Sequence, residues 1–432
     1  MMRPLRERDF ALLWLGMTIS LIGDGIYFVA IAWLVYDLTD SPTALSLVGL
    51  AWSVGMVLFL LVGGVASDRF DRRRVMLAAD AVRMVAMAVL GALAVWGDIQ
   101  LWQIVLLSLV YGSAEAFFGP SFSGLVPQLV PGEHLVQANA LQEVVRPIAY
   151  RLAGPALGGL LVAAFSAGTA LLVDAATFVV SITCLALMRA RPALAIPDRA
   201  SVREEILEGL AFVRAHAWLW ATLVTAAISL LCFWGPVEVL LPYVIRHELD
   251  RPATDFGLVL AAGGAGGILG GLFMSWRGLP RHKLRFMYLA WGIAPLAISG
   301  YALATATWHL ALLAGLLGAG LSLGTVVWAT LMQTRVPPDR LGRVTSLDWL
   351  VSIGLTPVSF ALTAPVAALA GTDATLIGAG VLSFVAPLAL YAFVGDLRRD
   401  EELHQGGDVL GEPRVGDVGG LHADDLDPLA RS

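Results

Sequence analysis

Apolar blocks recur along this chain of 432 residues, and each matches the roughly 20 residues that an α-helix needs to cross a hydrocarbon core. The blocks are apolar on every side, whereas the helices of a soluble bundle carry a polar stripe. Charged residues make up only 14% of the chain, against about 25% in soluble domains. The sequence therefore predicts an all-α integral membrane protein that lies in a lipid bilayer.

Breaks of Gly, Pro and charge divide these blocks into twelve predicted transmembrane helices. The first six are 10–36, 42–66, 75–96, 100–119, 140–165 and 168–189, and the second six are 218–245, 255–276, 285–306, 308–332, 345–370 and 375–395. The resulting units are an N-terminal six-helix bundle (1–189), a cytoplasmic linker with an amphipathic helix (190–216), a C-terminal six-helix bundle (217–395) and a disordered acidic cytoplasmic tail (396–432). The apolar face of the linker helix is expected to lie on the membrane surface.

Two short motifs recur six spans apart and indicate an internal duplication. Residues 40–43 (DSPT) are echoed by 250–253 (DRPA), and residues 130–135 (VPGEHL) are echoed by 336–341 (VPPDRL). Parallel repeats of this kind are typical of transporters that move a substrate between two halves. We therefore expect two pseudo-symmetric six-helix bundles.

The loop after the second span carries a charged motif. Residues 64–73 read GVASDRFDRR. This resembles the signature loop of the major facilitator superfamily, although Asp71 stands where the family usually has a second Gly. In such a loop a carboxylate and guanidinium groups hold neighbouring helix ends together; the alternative is that the arginines only set the topology. The residues to which the resemblance assigns conformational gating are Gly64, Asp68, Arg69, Arg72 and Arg73.

A second motif lies in the fifth span, where residues 154–159 read GPALGG. It resembles the Gly-Pro motif of exporters and antiporters in the same superfamily, and the alternative is ordinary packing of small residues. With residues 117–120 (FFGP) and 136–141 (VQANAL), it makes the chain similar to the branch of macrolide and tetracycline efflux proteins, multidrug pumps and enterobactin exporters. The motif residues are Gly154, Pro155, Gly158 and Gly159.

Ionisable residues at membrane depth are costly and usually face the protein interior or a cavity. Asp24 and Glu238 lie on the first helix of each half. We expect at least one of them to carry a coupled proton or to bind a cationic substrate, and the alternative is a structural hydrogen bond. Further candidates for this role, for which ion pairing is the alternative, are Glu115, Arg146 and Arg151.

Four other charged residues within the spans are expected to be structural. Asp80 and Arg83 are three residues apart on one helix face, which favours an ion pair. Asp174 and Asp348 lie near the ends of predicted spans. We therefore expect these two carboxylates to be solvated or to cap helices.

Sequence features that would indicate catalysis or cofactors are missing. The glycine run at 263–267 (GGAGG) lies inside a span and is not followed by the Lys-Ser or Lys-Thr of a phosphate-binding loop. Cys184 and Cys232 each lie in an apolar block, which indicates neither a disulfide framework nor a metal site. We expect no catalytic residue, metal, cofactor or nucleic-acid partner, so the energy for transport would come from a gradient or from a partner protein.

The resemblance and the buried acids together favour a secondary active exporter of small hydrophobic compounds, drug-like or siderophore-like. It would exchange its substrate for protons by alternating access, in the inner membrane of a bacterium, and a monomer would suffice. The alternatives are an uptake carrier or a lysophospholipid flippase of the same fold, and a membrane sensor or scaffold that does not transport.

The distribution of basic residues predicts that both termini are cytoplasmic. If they are, 23 of the 28 Lys and Arg residues fall in cytoplasmic segments and two, Arg246 and Arg251, in external loops. A reporter enzyme that works only in the cytoplasm should therefore be active when it is fused after Ser432. A reporter that works only outside the cytoplasm should be silent, and activity of that fusion would contradict the topology.

Overall fold

The computed structural model describes residues 3–189 and 202–394, and those residues contain helices and no strands. In the first half the helices are α1 (Arg8–Thr39), α2 (Pro42–Arg69), α3 (Arg72–Trp96), α4 (Leu101–Leu129), α5 (Leu135–Arg146), α6 (Gly154–Ala164) and α7 (Ala167–Leu187). The later helices are α8 (Val202–Ala215), α9 (Ala217–Leu231), α10 (Leu241–Tyr243), α11 (Ala253–Arg277), α12 (Lys283–Ile293), α13 (Leu296–Tyr301), α14 (Thr307–Arg335), α15 (Pro338–Gly354), α16 (Thr356–Ala370) and α17 (Thr372–Phe393). The predicted tail, 396–432, lies outside the described residues.

Eleven helical stretches in the described chain are long and apolar enough to cross a membrane. The predicted span 285–306 is not one continuous helix, because the chain is interrupted at Pro295 between α12 and α13. The fourth predicted span, 100–119, is too short, since α4 continues to Leu129 through Pro120 and Pro127. The all-α membrane fold is thus confirmed, while prolines proved a poor guide to where these helices end.

The same helix pairs form in both halves. In the first half α2 packs on α4, and α7 packs on both α1 and α3. In the second half α11 packs on α14, and α17 packs on α9, α12 and α13. Because α11, α12 to α13, α14 and α17 follow in the same order as α2, α3, α4 and α7, this arrangement is that of a duplicated bundle.

Three helical stretches have wider, π-helical turns. They are Pro147–Ala153 between α5 and α6, Pro236–Leu240 before α10, and Val244–Glu248 after it. The first two begin with a proline, which cannot donate a backbone hydrogen bond. A π-helical turn shifts the direction of the side chains that follow it and is frequent at functional sites.

The two halves touch at the end of the molecule that carries the α1–α2 connection and residues 249–252, which we name the joined end. There the Tyr36 hydroxyl donates to the carbonyl of Val239 at 2.7 Å. Arg246 pairs with Asp37 at 2.5 Å, and His247 lies 3.0 Å from a carboxylate oxygen of Asp40. Polar groups from both halves therefore hold the joined end together.

The linker helix α8 packs against α15. Phe212 and Val213, on its apolar face, are buried and join a core with Leu347 of α15. On its polar side, Glu208 pairs with Arg343 of α15. The chain is helical at Val202–Ala215 as predicted, and part of the apolar face of this helix contacts α15. Its place on the membrane surface stays a prediction.

Close packing of α11 against α14 depends on glycine. A Cβ atom at Gly266 would overlap the carbonyl oxygen of Gly315, and one at Gly318 would overlap that of Gly263. Small residues allow helix backbones to approach in this way inside membranes.

Replacing Gly266 with Ala should therefore force α11 and α14 apart and destabilise the second half by about 1–3 kcal/mol, the usual cost of overpacking. The apparent melting temperature of detergent-solubilised protein measures this effect. Gly378→Ala is the matched control, because nothing lies within 4 Å of a Cβ at that position of α17. Equal melting temperatures for the two variants would contradict the argument.

Candidate functional site

A buried polar network fills the middle of the first half, and Arg83 of α3 is its centre. Arg83 is 2% exposed and forms an ion pair with Asp80, as the sequence predicted. The Ser181 hydroxyl donates to the other oxygen of Asp80 at 2.6 Å. The guanidinium also lies over the rings of Phe178 and Phe118, at 4.7 and 4.8 Å from their centroids. Asp80 therefore has a cation at one carboxylate oxygen and a hydroxyl donor at the other.

Asp24 belongs to the same network. Asp24 lies near the middle of α1 and is 8% exposed. The Tyr111 hydroxyl donates to its Oδ1 at 2.5 Å, and Arg83 lies 3.7 Å from the same oxygen. Tyr111 in turn stacks on Tyr27 with 4.8 Å between ring centroids. Asp24 therefore shares one guanidinium with Asp80, which leaves it only partly neutralised.

Glu115 does not form the ion pair considered for it. Its Oε2 accepts a hydrogen bond from the indole N–H of Trp52 at 3.0 Å. In the described part of the chain no ion pair joins it to Arg146 or Arg151, both of which are exposed. The sequence predicts these charges at similar depth, but Glu115 on α4 lies in different surroundings from Arg146 on α5 and Arg151 in the stretch Pro147–Ala153.

A cavity lies between the halves. It lies deeper in the molecule than the joined end, beyond the Tyr36–Val239 contact. It holds about 760 Å³ of empty space, part of it open to solvent, and its walls are mostly apolar. Two charged residues line it, Arg151 from the first half and Glu238 from the second. The aromatic residues in its wall are Phe28, Tyr150, Phe233, Trp234 and Tyr301.

Both cavity charges lie in π-helical stretches. Arg151 is part of Pro147–Ala153, and Glu238 is part of Pro236–Leu240. The irregular turns place these side chains at the cavity, and the prolines that begin them were the signal available in the sequence. The structure thus brings Arg151 and Glu238 to one cavity and places Asp24 in a separate network.

Asp174 contradicts the sequence prediction most clearly. It was expected to be solvated or to cap a helix, yet it is completely buried in α7, with neither carboxylate oxygen accepting a hydrogen bond from the described residues. Asp348 is also misplaced by that prediction, because it lies within α15 and accepts a hydrogen bond from the indole N–H of Trp328 at 3.2 Å. Burial by neighbouring helices cannot be read from position within a span.

The charged loop between α2 and α3 is tied to the ends of two other helices. Arg72 donates to the carbonyl of Gly124 at 2.5 Å, and Arg73 donates to the carbonyls of Leu185 and Ala186 at 2.5 and 2.6 Å. These carbonyls lie near helix C-termini, where a cation is favourable. All of these contacts lie within the first half.

Aspartate at position 71 fits this turn without a glycine. Asp71 has a φ of −57°, and its side chain caps α3 by accepting from the backbone N–H of Arg73 at 3.0 Å. Gly64 has no atom within 4 Å of where a Cβ would stand, and Arg69 is exposed. The side chain of Asp68 lies outside the described part of the structure.

The Gly-Pro motif packs against two helices at once. A Cβ at Gly154 or Gly158 would lie 2.7 or 3.0 Å from the Cα of Gly25 or Ile26 in α1. A Cβ at Gly159 would lie 2.7 Å from the carbonyl oxygen of Ala253 in α11 of the other half. The motif therefore provides small-residue packing, and one of its faces forms a contact between the two halves. On the same α11 face, Gly257 lies against the carbonyl of Pro155.

A bundle of membrane-crossing helices with a cavity between two similar halves defines a polytopic membrane transporter. The family described as transmembrane secretion effectors, part of the major facilitator superfamily, matches residues 1–414. The chain belongs to this family.

Named relatives include efflux proteins. Macrolide efflux protein A of Streptococcus pyogenes is 24% identical over 364 residues, which are 82% of this chain and 88% of the relative. The multidrug efflux pump Tap of Mycolicibacterium fortuitum is 28% identical over 368 residues, again 82% and 88% of the two chains.

Solved transporters share the fold. A bacterial homologue of the iron transporter ferroportin in an inward-facing state has a TM-score of 0.66 at 20% identity, over 89% of this chain and 98% of that one. The nucleoside transporter NupG has a TM-score of 0.66 at 11% identity, over 88% of this chain and 99% of that one. These likenesses concern the fold alone.

Because Arg83 neutralises buried acids, its loss should destabilise the first half. Arg83→Gln leaves Asp80 ionised without its cation, and removing one partner of a buried pair costs about 3–5 kcal/mol. Adding Asp80→Asn should restore much of the loss in thermal unfolding of solubilised protein.

An exposed ion pair provides the control for this prediction. Arg251 lies 3.4 Å from Asp255 and its side chain is 53% exposed. Arg251→Gln should change stability by less than about 1 kcal/mol. A loss for Arg83→Gln no larger than this, or no recovery in the double variant, would show that Arg83 does not neutralise the network.

Proposed function

We propose that this protein is a secondary active exporter that moves small, largely apolar organic compounds out of a bacterial cell in exchange for protons. It would lie in the plasma membrane with both termini in the cytoplasm, so that the joined end faces outward. Substrate would enter the cavity from the cytoplasm and leave after the joined end separates. The monomer contains the whole path.

The cavity is the observation that carries this proposal. Its aromatic and aliphatic wall suits an apolar molecule, while Glu238 and Arg151 offer one negative and one positive group for its polar part. An apolar wall with few polar contacts tolerates substrates of different shape. The efflux relatives, one named for macrolides and one for multiple drugs, support export of such compounds.

Alternating access would require the halves to separate at the joined end. Three kinds of contact would have to break there: the glycine contact of Gly159 with α11, the Tyr36–Val239 hydrogen bond and the Arg246–Asp37 ion pair. At the opposite end, Arg72 and Arg73 would keep α4 and α7 fixed to α3, so that the first half moves as one body. We assign gating in this sense to the 64–73 loop, which includes Gly64, Asp68 and Arg69.

Proton coupling would use Asp24 and Glu238. Asp24 shares Arg83 with Asp80, so a proton on Asp24 would relieve an excess of buried negative charge. Glu238 faces the cavity, where a proton and a cationic substrate would compete for it. Glu115, Arg146 and Arg151 would modulate both sites through their charge.

The neighbourhood of α1 offers a physical link between the two sites. Phe28 lies one helical turn after Asp24 and forms part of the cavity wall. Its ring meets that of Tyr150 edge to face, with 5.5 Å between centroids. A change of charge at Asp24 would therefore be felt by a side chain that touches the substrate.

The direct test measures accumulation of a panel of fluorescent and antibiotic compounds in a bacterium that lacks its own major pumps. Expression should lower accumulation of some apolar compounds, and a protonophore should abolish the difference. Higher accumulation on expression would instead indicate an uptake carrier. No change for any compound, in well-inserted protein, would contradict transport of this class.

Asp24→Asn and Glu238→Gln keep the size of each side chain but cannot bind or release a proton. We expect at least one of them to abolish gradient-driven export in proteoliposomes while it spares downhill exchange. Asp98→Asn, at an exposed position between α3 and α4, is the matched control and should export normally. If Asp24→Asn and Glu238→Gln both still export substrate against its gradient, with unaltered pH dependence, neither acid is a coupling site.

A further inference from the structure

Asp174 is a buried acid that the proposed coupling scheme leaves unexplained. It is completely buried in α7, and neither of its carboxylate oxygens accepts a hydrogen bond from the described residues. The nearby Thr177 hydroxyl donates to the backbone carbonyl of Asp174 instead, at 2.7 Å. A buried carboxylate without a donor is strongly disfavoured as an anion. This environment favours the neutral, protonated form of the Asp174 carboxyl group.

Asp174 lies directly against α1 beside the proposed coupling residue. At Gly23, the residue before Asp24, a Cβ atom would collide with both Asp174 Oδ1 and Thr177 Oγ1. The glycine thus allows the carboxyl group of α7 to approach the backbone of α1. Asp24 of α1 and Arg83 of α3 are charged groups close enough to interact with Asp174.

The groups that face Asp174 come from three neighbouring helices. Helix α6 also packs on α7, but its sequence contains no titratable residue. The titratable and charged groups that interact with Asp174 are Asp24 and Tyr27 of α1, Arg83 of α3 and Tyr111 of α4. Asp80 of α3 contacts α7 further along, at Ser181.

The three buried acids differ in the hydrogen-bond donors and positive charge that surround them. Asp80 receives the ion pair of Arg83 and a hydroxyl, and Asp24 receives the Tyr111 hydroxyl and the same guanidinium at 3.7 Å. Among the described residues, none donates to the carboxyl group of Asp174. Because Asp24 and Asp174 repel each other when both are ionised, protons bind to them in two coupled steps.

We propose that Asp174 and Asp24 form a coupled proton-binding pair, in which Asp174 takes the first proton and Asp24 the second, and that Asp174 gives up its proton once in each transport cycle. This rests on the proposed exchange of substrate for protons. The proton bound at a carboxylate oxygen of Asp174 leaves as H⁺ to the aqueous side, and the carboxyl group becomes a carboxylate. No other bond is made or broken. Asp174 thus binds a transported proton itself and is not a substrate ligand.

Infrared spectroscopy of the purified protein tests the protonation state directly. The spectrum of Asp174→Asn, subtracted from that of the unchanged protein at neutral pH, should show the carbonyl band of one protonated carboxyl group. The same subtraction with Asp373→Asn, an exposed acid on α17, should show ionised carboxylate bands. Carboxylate bands for Asp174 would overturn the proposal.

A second measurement does not depend on a variant at position 174. In Asp24→Asn the repulsion between the two acids is gone, so Asp174 should release its proton at lower pH. On alkaline titration the band of the protonated carboxyl group should then disappear at a pH about one unit or more below that of the unchanged protein. An unchanged midpoint would show that the two acids are not coupled.

Proteoliposome transport separates this proposal from the proposed function. The unchanged protein should export substrate when a proton gradient is imposed, and Asp174→Asn should move one proton fewer per substrate molecule, with an altered pH profile. If the unchanged protein shows no gradient-driven export, the exchange mechanism itself fails. If it exports and Asp174→Asn has the same stoichiometry and pH profile, only the role of Asp174 fails.

Discussion

The scarcity of partners for charge inside a hydrocarbon core is the constraint on which the rest of this structure depends. Water is absent there, so each ionised group needs a donor or an opposite charge from the protein itself. Arg83 meets this need for Asp80 and partly for Asp24, with Tyr111 and Ser181 as hydroxyl donors. The packing of α1, α3, α4 and α7 follows from bringing these groups together. An acid outside the reach of these donors is disfavoured in its ionised form.

Length and apolarity made the membrane fold predictable, but backbone detail was not. A stretch such as α1 or α7 is continuous and bounded by polar residues, so its limits lie within a few residues of the prediction. Proline gave ambiguous information. Pro120 and Pro127 lie inside α4, whereas Pro295 separates α12 from α13. The difference depends on whether neighbouring helices support the bent backbone, which a single sequence does not contain.

The candidate site was predictable in part, for a related reason. Asp80 and Arg83 pair along one helix face, so their spacing of three residues was sufficient. The depth of Asp24 along its span likewise marked it as buried. Asp174 was misjudged because its burial comes from α1, which reaches it through the missing side chain of Gly23. Tyr111 and Trp52 gave no signal as donors, since an aromatic residue within an apolar block is usually explained by packing alone.

Helix α1 connects the buried Asp24 network to the cavity between the halves. On one face Asp24 meets Tyr111 and Arg83; one turn later Phe28 meets Tyr150 and the cavity. Toward the joined end, Tyr36 bonds to Val239 of the second half. Helix α1 thus carries the Asp24 network, part of the cavity wall and a contact between the halves, so a movement of α1 at one of these points would be transmitted to the others. If the proposed exchange of protons for substrate takes place, α1 alone would be long enough to connect the two sites.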